Sequence, residues 1–118
     1  MEESGNMTLE ELEAKLEPYW SNNPVWKAAD VGPGWYDLVS NLLDDLVAIS
    51  SGFTILQVKS KFGGLRFYIE PYNEQLQEAI ARAEKESVKI CEVCGKPGGP
   101  VGGGWIDTLC EEHANEAS

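Results

Sequence analysis

All three cysteines of the chain and its single histidine lie between positions 91 and 113, as Cys91, Cys94, Cys110 and His113. The spacing is Cys-x2-Cys, then 15 residues, then Cys-x2-His. A two-residue gap lets two side chains of one tight turn reach the same ion, and Gly95 directly after Cys94 suits the knuckle this requires. The second pair would bite from the first turn of a short helix or from a loop. Four soft or borderline donors make a closed tetrahedral shell, so the pattern predicts one structural Zn²⁺ with no open position for a reacting water. An odd number of cysteines counts against a disulfide framework. The competing reading is a redox-active Cys91–Cys94 pair, but such a pair belongs after a strand in a βαβ unit, which the pattern does not predict here.

The arrangement resembles a treble-clef or zinc-ribbon finger. Five residues follow His113, so any closing helix is short. Gly98, Gly99, Gly102, Gly103 and Gly104 predict a flexible connecting loop, with the metal supplying order that burial does not.

A second group of residues could bind rather than ligate. The chain has 20 Asp and Glu against nine Lys and Arg, for a net charge of −11, which should repel nucleic acid and anionic membranes. Residues 1–50 account for −8 of this, whereas residues 51–69 carry Lys59, Lys61 and Arg66 and no acid. Tyr68 and Gln57 lie beside these bases in sequence, available for stacking and hydrogen bonding. The bland reading is that the chain's own acidic helices fold over this island, and the sharper one is an anionic partner. Trp20 and Trp26 sit in a long connection over residues 18–34 and are candidate interface anchors or core covers. Trp35 and Trp105 each lie in a Gly-x-Gly-Trp-x-Asp string, read as rings anchoring glycine loops on the core. Asp44 and Asp45 are the acids that a DNA-mimicking face would display.

These residues need a scaffold, and 118 residues suffice for one modest core. A composition 42% apolar, with four Trp, is not that of a disordered chain. Residues 1–7 read as a frayed leader. Thr8 with Glu11 forms a capping box for a helix carrying Leu9, Leu12 and Leu16, which Pro18 ends. Asn23-Pro24 suits the start of a short helical turn. A longer helix follows Gly32-Pro33-Gly34 over residues 35–49, with Trp35, Leu38, Val39, Leu42, Leu46 and Ile49 inward and Ser40, Asn41, Asp44 and Asp45 outward. Residues 53–70 alternate as a hairpin turning at Gly63-Gly64. That register sets Phe62 against Leu65, Ser60 against Phe67 and Val58 against Ile69. On the other face Lys61 meets Arg66, Lys59 meets Tyr68 and Gln57 meets Glu70, and a one-residue slip would mix the faces. A third helix over residues 73–87 turns Leu76, Ile80 and Ala83 inward. The expected fold is α+β: helices on one face of an antiparallel hairpin, as a core over 8–89, with an appended metal-binding segment over 90–118.

The string Gln57-Val58-Lys59-Ser60-Lys61-Phe62-Gly63-Gly64-Leu65-Arg66-Phe67-Tyr68, with Cys91-Glu92-Val93-Cys94-Gly95 and Cys110-x-x-His113, resembles a family of small zinc-finger-containing proteins of tailed bacteriophages and prophages. The likeness covers about residues 31–114 and implies origin rather than an activity. By analogy it implies a host or defence protein as partner, with inhibition or DNA mimicry as modes of action. Nucleic-acid binding through Lys59, Lys61 and Arg66 is the alternative. With the histidine and thiols assigned to metal, catalysis is not expected. The apolar runs are too short for a membrane span, and the acidic Met1-Glu2-Glu3-Ser4 start lacks the features of a secretory signal, so a cytoplasmic location is expected.

Overall fold

The computed structural model describes residues 7–20, 29–50, 52–102 and 106–117. The expected Asn23-Pro24 turn, Trp26, Gly103, Gly104 and Trp105 lie outside these residues, as does the leader up to residue 6. Met7, assigned to the frayed leader, instead packs on the core and donates its N–H to Asp37 Oδ1 at 3.3 Å.

Helix α1 (Leu9–Leu16) begins with the expected capping box. Thr8 Oγ1 accepts from the Glu11 N–H at 3.1 Å, and Glu11 Oε1 accepts from the Thr8 N–H at 2.9 Å. Leu12 and Leu16 are fully buried, and the helix tightens at Pro18 into a 3₁₀ turn, Glu17–Tyr19. After the two-residue strand β1 (Ala29–Asp30) and a 3₁₀ turn at Pro33–Trp35 comes α2 (Tyr36–Ile49). It buries Tyr36, Val39, Leu42, Leu43 and Leu46. Two positions correct the expected face. Ser40 is buried because Lys15 Nζ, reaching across from α1, donates to Ser40 Oγ at 2.6 Å and pairs with Asp44 at 2.8 Å. Ile49, in the last turn, is exposed.

Strands β2 (Thr54–Lys61) and β3 (Gly64–Glu70) form the hairpin, and β1 joins β2 in parallel, for the order β1-β2-β3. The turn is Phe62-Gly63, not Gly63-Gly64. Both residues have positive φ, 54° and 76°, as a two-residue type I′ turn requires. The expected pairings are therefore replaced: Ser60 faces Leu65, Val58 faces Phe67, Lys59 faces Arg66 and Gln57 faces Tyr68. Each partner moves by two residues, so every side chain keeps its face and the apolar side stays apolar. A bulge between Ile55 and Gln57 lets Ile55 and Val58 both point inward.

Asn73 Oδ1 caps α3 (Glu74–Ser87) by accepting from the Leu76 N–H at 3.1 Å. The helix packs on α2 and β3, adding Leu76, Ala79, Ile80 and Ala83 to one core shared with Ile55, Val58, Leu65, Phe67 and Ile69. It also closes the outer edge of β3: the N–H groups of Leu65 and Phe67 donate to Ser87 Oγ at 2.9 Å and Glu84 Oε2 at 3.2 Å. The remaining elements are β4 (Gly99–Val101), β5 (Asp107–Leu109) and α4 (Glu111–Ala117). Part of the expected flexible loop is thus a strand, since Gly99 pairs with Leu109. The architecture is α+β, and among the described residues no helix is long and apolar enough to cross a membrane.

Candidate metal centre

The first ligand pair hangs on a tight knuckle directly after α3. Cys91 N–H donates to the Lys96 carbonyl at 2.7 Å, and Gly95 N–H donates back to the Cys91 carbonyl at 2.9 Å. Closing this loop requires a left-handed residue, supplied by Gly95 at φ 83°. The antiparallel β4–β5 pair then returns the chain, and the Glu92 N–H donates to the Thr108 carbonyl at 2.9 Å, fixing the knuckle to β5. Cys110 follows β5 immediately, and His113 lies in the first turn of α4, three residues on and therefore on the same helix face. Knuckle, hairpin, then a short helix carrying His113 with Cys110 just before it are elements consistent with the expected zinc-ribbon or treble-clef-like segment.

The four donor atoms lie within 4.8 Å of one another. Cys94 Sγ is 3.7 Å from Cys110 Sγ, and His113 Nδ1 is 3.5 Å from Cys91 Sγ and 3.2 Å from Cys110 Sγ. A sulfur–sulfur distance of 3.7 Å is far beyond a disulfide bond, and all three thiols are free. The chain does contain a βαβ unit, β1-α2-β2, contrary to expectation, but the Cys91–Cys94 pair lies outside it. Burial opposes the Cys91 thiolate, yet the N–H groups of Cys110, Cys94 and Val93 outweigh it and lower that thiol to about 6. The Lys96 N–H favours a thiolate at Cys94, but burial and the sulfurs of Cys91 and Cys110 together push it above the ordinary range. Hydrogen bonds to Cys110 and Cys91 raise His113. Several sulfur donors crowded around one point repel as thiolates unless a cation lies between them, and this donor set fits a soft or borderline metal ion.

The knuckle is clasped to the core by residues that the motif alone does not reveal. Gly32 N–H donates to Glu92 Oε2 at 2.9 Å and Gly34 N–H to the Glu92 carbonyl at 2.7 Å. Glu92 Oε1 accepts from Ser60 Oγ of β2 at 3.3 Å. Burial pushes the Glu92 carboxyl above the usual range, Gly32 and Ser60 hold it back, and Asp107 and Asp30 add to the rise. Trp35 is fully buried and donates Nε1–H to the Ile90 carbonyl at 2.8 Å, so its ring anchors the glycine loop as expected. A Cβ on Gly34 would sit 2.0 Å from the Cys91 carbonyl oxygen, so backbone meets backbone there. The signal that could have exposed this clasp was the Gly32-Pro33-Gly34-Trp35 string itself.

The binding candidates fall elsewhere. Gln57, Lys59, Lys61, Arg66 and Tyr68 share the sheet face opposite the core. Asp44 is engaged by Lys15, while Asp45 lines a groove between α2 and α3 with Arg82 and Glu86, so the two acids turn toward different neighbours. Trp20 is buried and bridged to Ile55, which makes it a core cover rather than an exposed anchor. No protein-family model, curated protein or solved structure matches the chain.

Proposed function

We propose that the chain is a zinc-stabilised protein-binding module of phage type, directed at a bacterial host or defence protein in the cytoplasm. The observation that carries this reading is that every cysteine and the sole histidine of the chain converge on one closed set of donors. The set commits the usual nucleophiles and the usual general base to folding, so the reading includes no catalytic step. Binding then falls to the surfaces. Zinc is the ion of choice because arms of about 2.3 Å to sulfur and about 2.0 Å to nitrogen imply sulfur–sulfur edges of roughly 3.8 Å and sulfur–nitrogen edges of roughly 3.5 Å. Three of the six edges, at 3.7, 3.5 and 3.2 Å, are near or below these lengths, within a donor set that spans up to 4.8 Å. The likeness to phage proteins supports the class of partner.

Elemental analysis of purified protein tests the metal, with one zinc per chain expected. A tagged pull-down from bacterial lysate, with and without nuclease, tests the partner. A nuclease-resistant protein is expected, and its absence would remove the interaction reading. A DNA-mimic version predicts that Asp44→Lys with Asp45→Lys abolishes that capture. The second reading, nucleic-acid binding, draws on Lys59 and Arg66 side by side on the sheet. It predicts salt-sensitive binding of oligonucleotides, against which the net charge of −11 weighs.

A further inference from the structure

The three-stranded sheet packs its apolar face on the core, and its other face carries the polar and charged side chains of β2 and β3. Across that face run Asp30 of β1, Lys59 of β2 and Arg66 of β3, neighbours in register. Lys59 and Arg66 are like charges directly opposite, an arrangement that costs stability unless something anionic answers it. Asp30 lies beside Lys59 in register, yet neither it nor another described carboxylate forms an ion pair with Lys59, Lys61 or Arg66. Arg66 Nη1 spends itself on its neighbour's carbonyl, that of Leu65, at 3.1 Å.

Two aromatic rings accompany the cations. Lys59 Nζ lies 5.8 Å from the Tyr68 ring centre and Lys61 Nζ 5.5 Å from that of Phe62. Phe62 is 69% exposed and holds a left-handed backbone, a conformation unusual for a bulky residue. The type I′ turn accounts for that backbone, and the exposed ring at its tip is free to touch a partner.

We infer that this face, Gln57, Lys59, Lys61, Arg66 and Tyr68 with Phe62 at its tip, docks an acidic protein segment. The inference rests on the protein-binding reading above and names its surface and the chemistry of its partner. Charge complementarity selects a carboxylate-rich occupant. A nucleic-acid strand is disfavoured because three cations are few to answer a continuous phosphate backbone. The whole chain's −11 also repels a long polyanion more than a short acidic segment.

The test is amide chemical-shift mapping on the full-length, metal-loaded protein, titrated with a blocked dodecapeptide of glutamate and serine or with an oligothymidylate of equal length. The peptide is expected to shift amides of residues 57–68 saturably. Lys59→Glu with Arg66→Glu should weaken it about tenfold or more. Arg82→Glu with Lys85→Glu, both exposed on α3, serves as the control of equal charge change, and unchanged dispersion of the core amides verifies folding. Shifts confined to other regions, no shift at millimolar peptide, or tighter binding of the oligothymidylate would overturn the inference. Self-association that buries this face in place of the peptide would also overturn it. Lysate capture separates the two levels: a partner retained by the Lys59→Glu, Arg66→Glu variant removes this surface and leaves the protein-binding reading intact.

Discussion

The core and the metal-binding segment are held by different physics. The core joins Leu12, Leu16, Trp35, Leu46, Ile55, Phe67 and Leu76 into one apolar cluster. The segment's own buried cluster is Cys91, Leu109 and Cys110, two of them candidate ligands. So few apolar side chains cannot offset the entropy of ordering the knuckle, hairpin and helix, at about 1–2 kcal/mol per residue. The clasp through Glu92, Gly34 and Trp35 and, on the proposed reading, a bound metal make up the difference. On that reading one region folds by excluding water, the other by filling a coordination shell.

Stripping the metal should break this comparison open most widely. Structural zinc contributes on the order of 10 kcal/mol to small domains that depend on it. Chelation, or Cys91→Ser, should abolish hydrogen-exchange protection over residues 90–117 while residues 8–89 keep most of theirs. Equal protection of both regions with and without metal would mean that the segment is ordered by burial after all. The reverse perturbation is Leu46→Ala, a fully buried position in α2. It should cost about 2–5 kcal/mol in chemical denaturation while the folded variant retains its full metal content.

The join between the regions gives a smaller effect. Gly34→Ala forces a side-chain carbon against the Cys91 carbonyl and the Gly95 nitrogen. A loss of about 1–3 kcal/mol is expected, with faster exchange concentrated at residues 32–35 and 90–95. An unchanged exchange pattern would show that the clasp is not what couples the regions. Smallest is Thr8→Ala, which removes the α1 capping box and should cost about 1 kcal/mol in thermal or chemical denaturation without touching the metal.

Legibility in the sequence followed the same divide. The meeting of Cys91, Cys94, Cys110 and His113 was readable because two x2-spaced pairs hold every cysteine and the histidine of the chain, and the helices because Leu12, Leu16, Val39, Leu42, Leu46 and Leu76 recur at helical period. The hairpin register was not readable. Two glycines look like the better turn, yet Gly63 is pressed by Ile106 and Thr108 of the metal-binding segment and Gly64 is buried in the strand, so Phe62 enters the turn. That contact spans more than 40 positions of chain, beyond any local pattern. Ser40 was misplaced for a similar reason: a serine reads as outward unless a long side chain from another helix, here Lys15, arrives to satisfy it. Strands β1, β4 and β5, each two or three residues long, are too short to show an alternation at all.

The bonds from Leu65 and Phe67 to Ser87 and Glu84 carry a consequence for how this chain behaves in a crowded cell. A bare outer strand is a template on which another chain can lengthen the sheet, whether a legitimate ligand or an aggregating copy. Side chains of α3 occupy two of the donors such a template would offer. Recruitment by main-chain pairing is therefore blocked at those positions, and any visitor must be recognised by the chemistry of its side groups. Removing Glu84 and Ser87 together would expose that template, and the expected symptom is not lost affinity but fibrils.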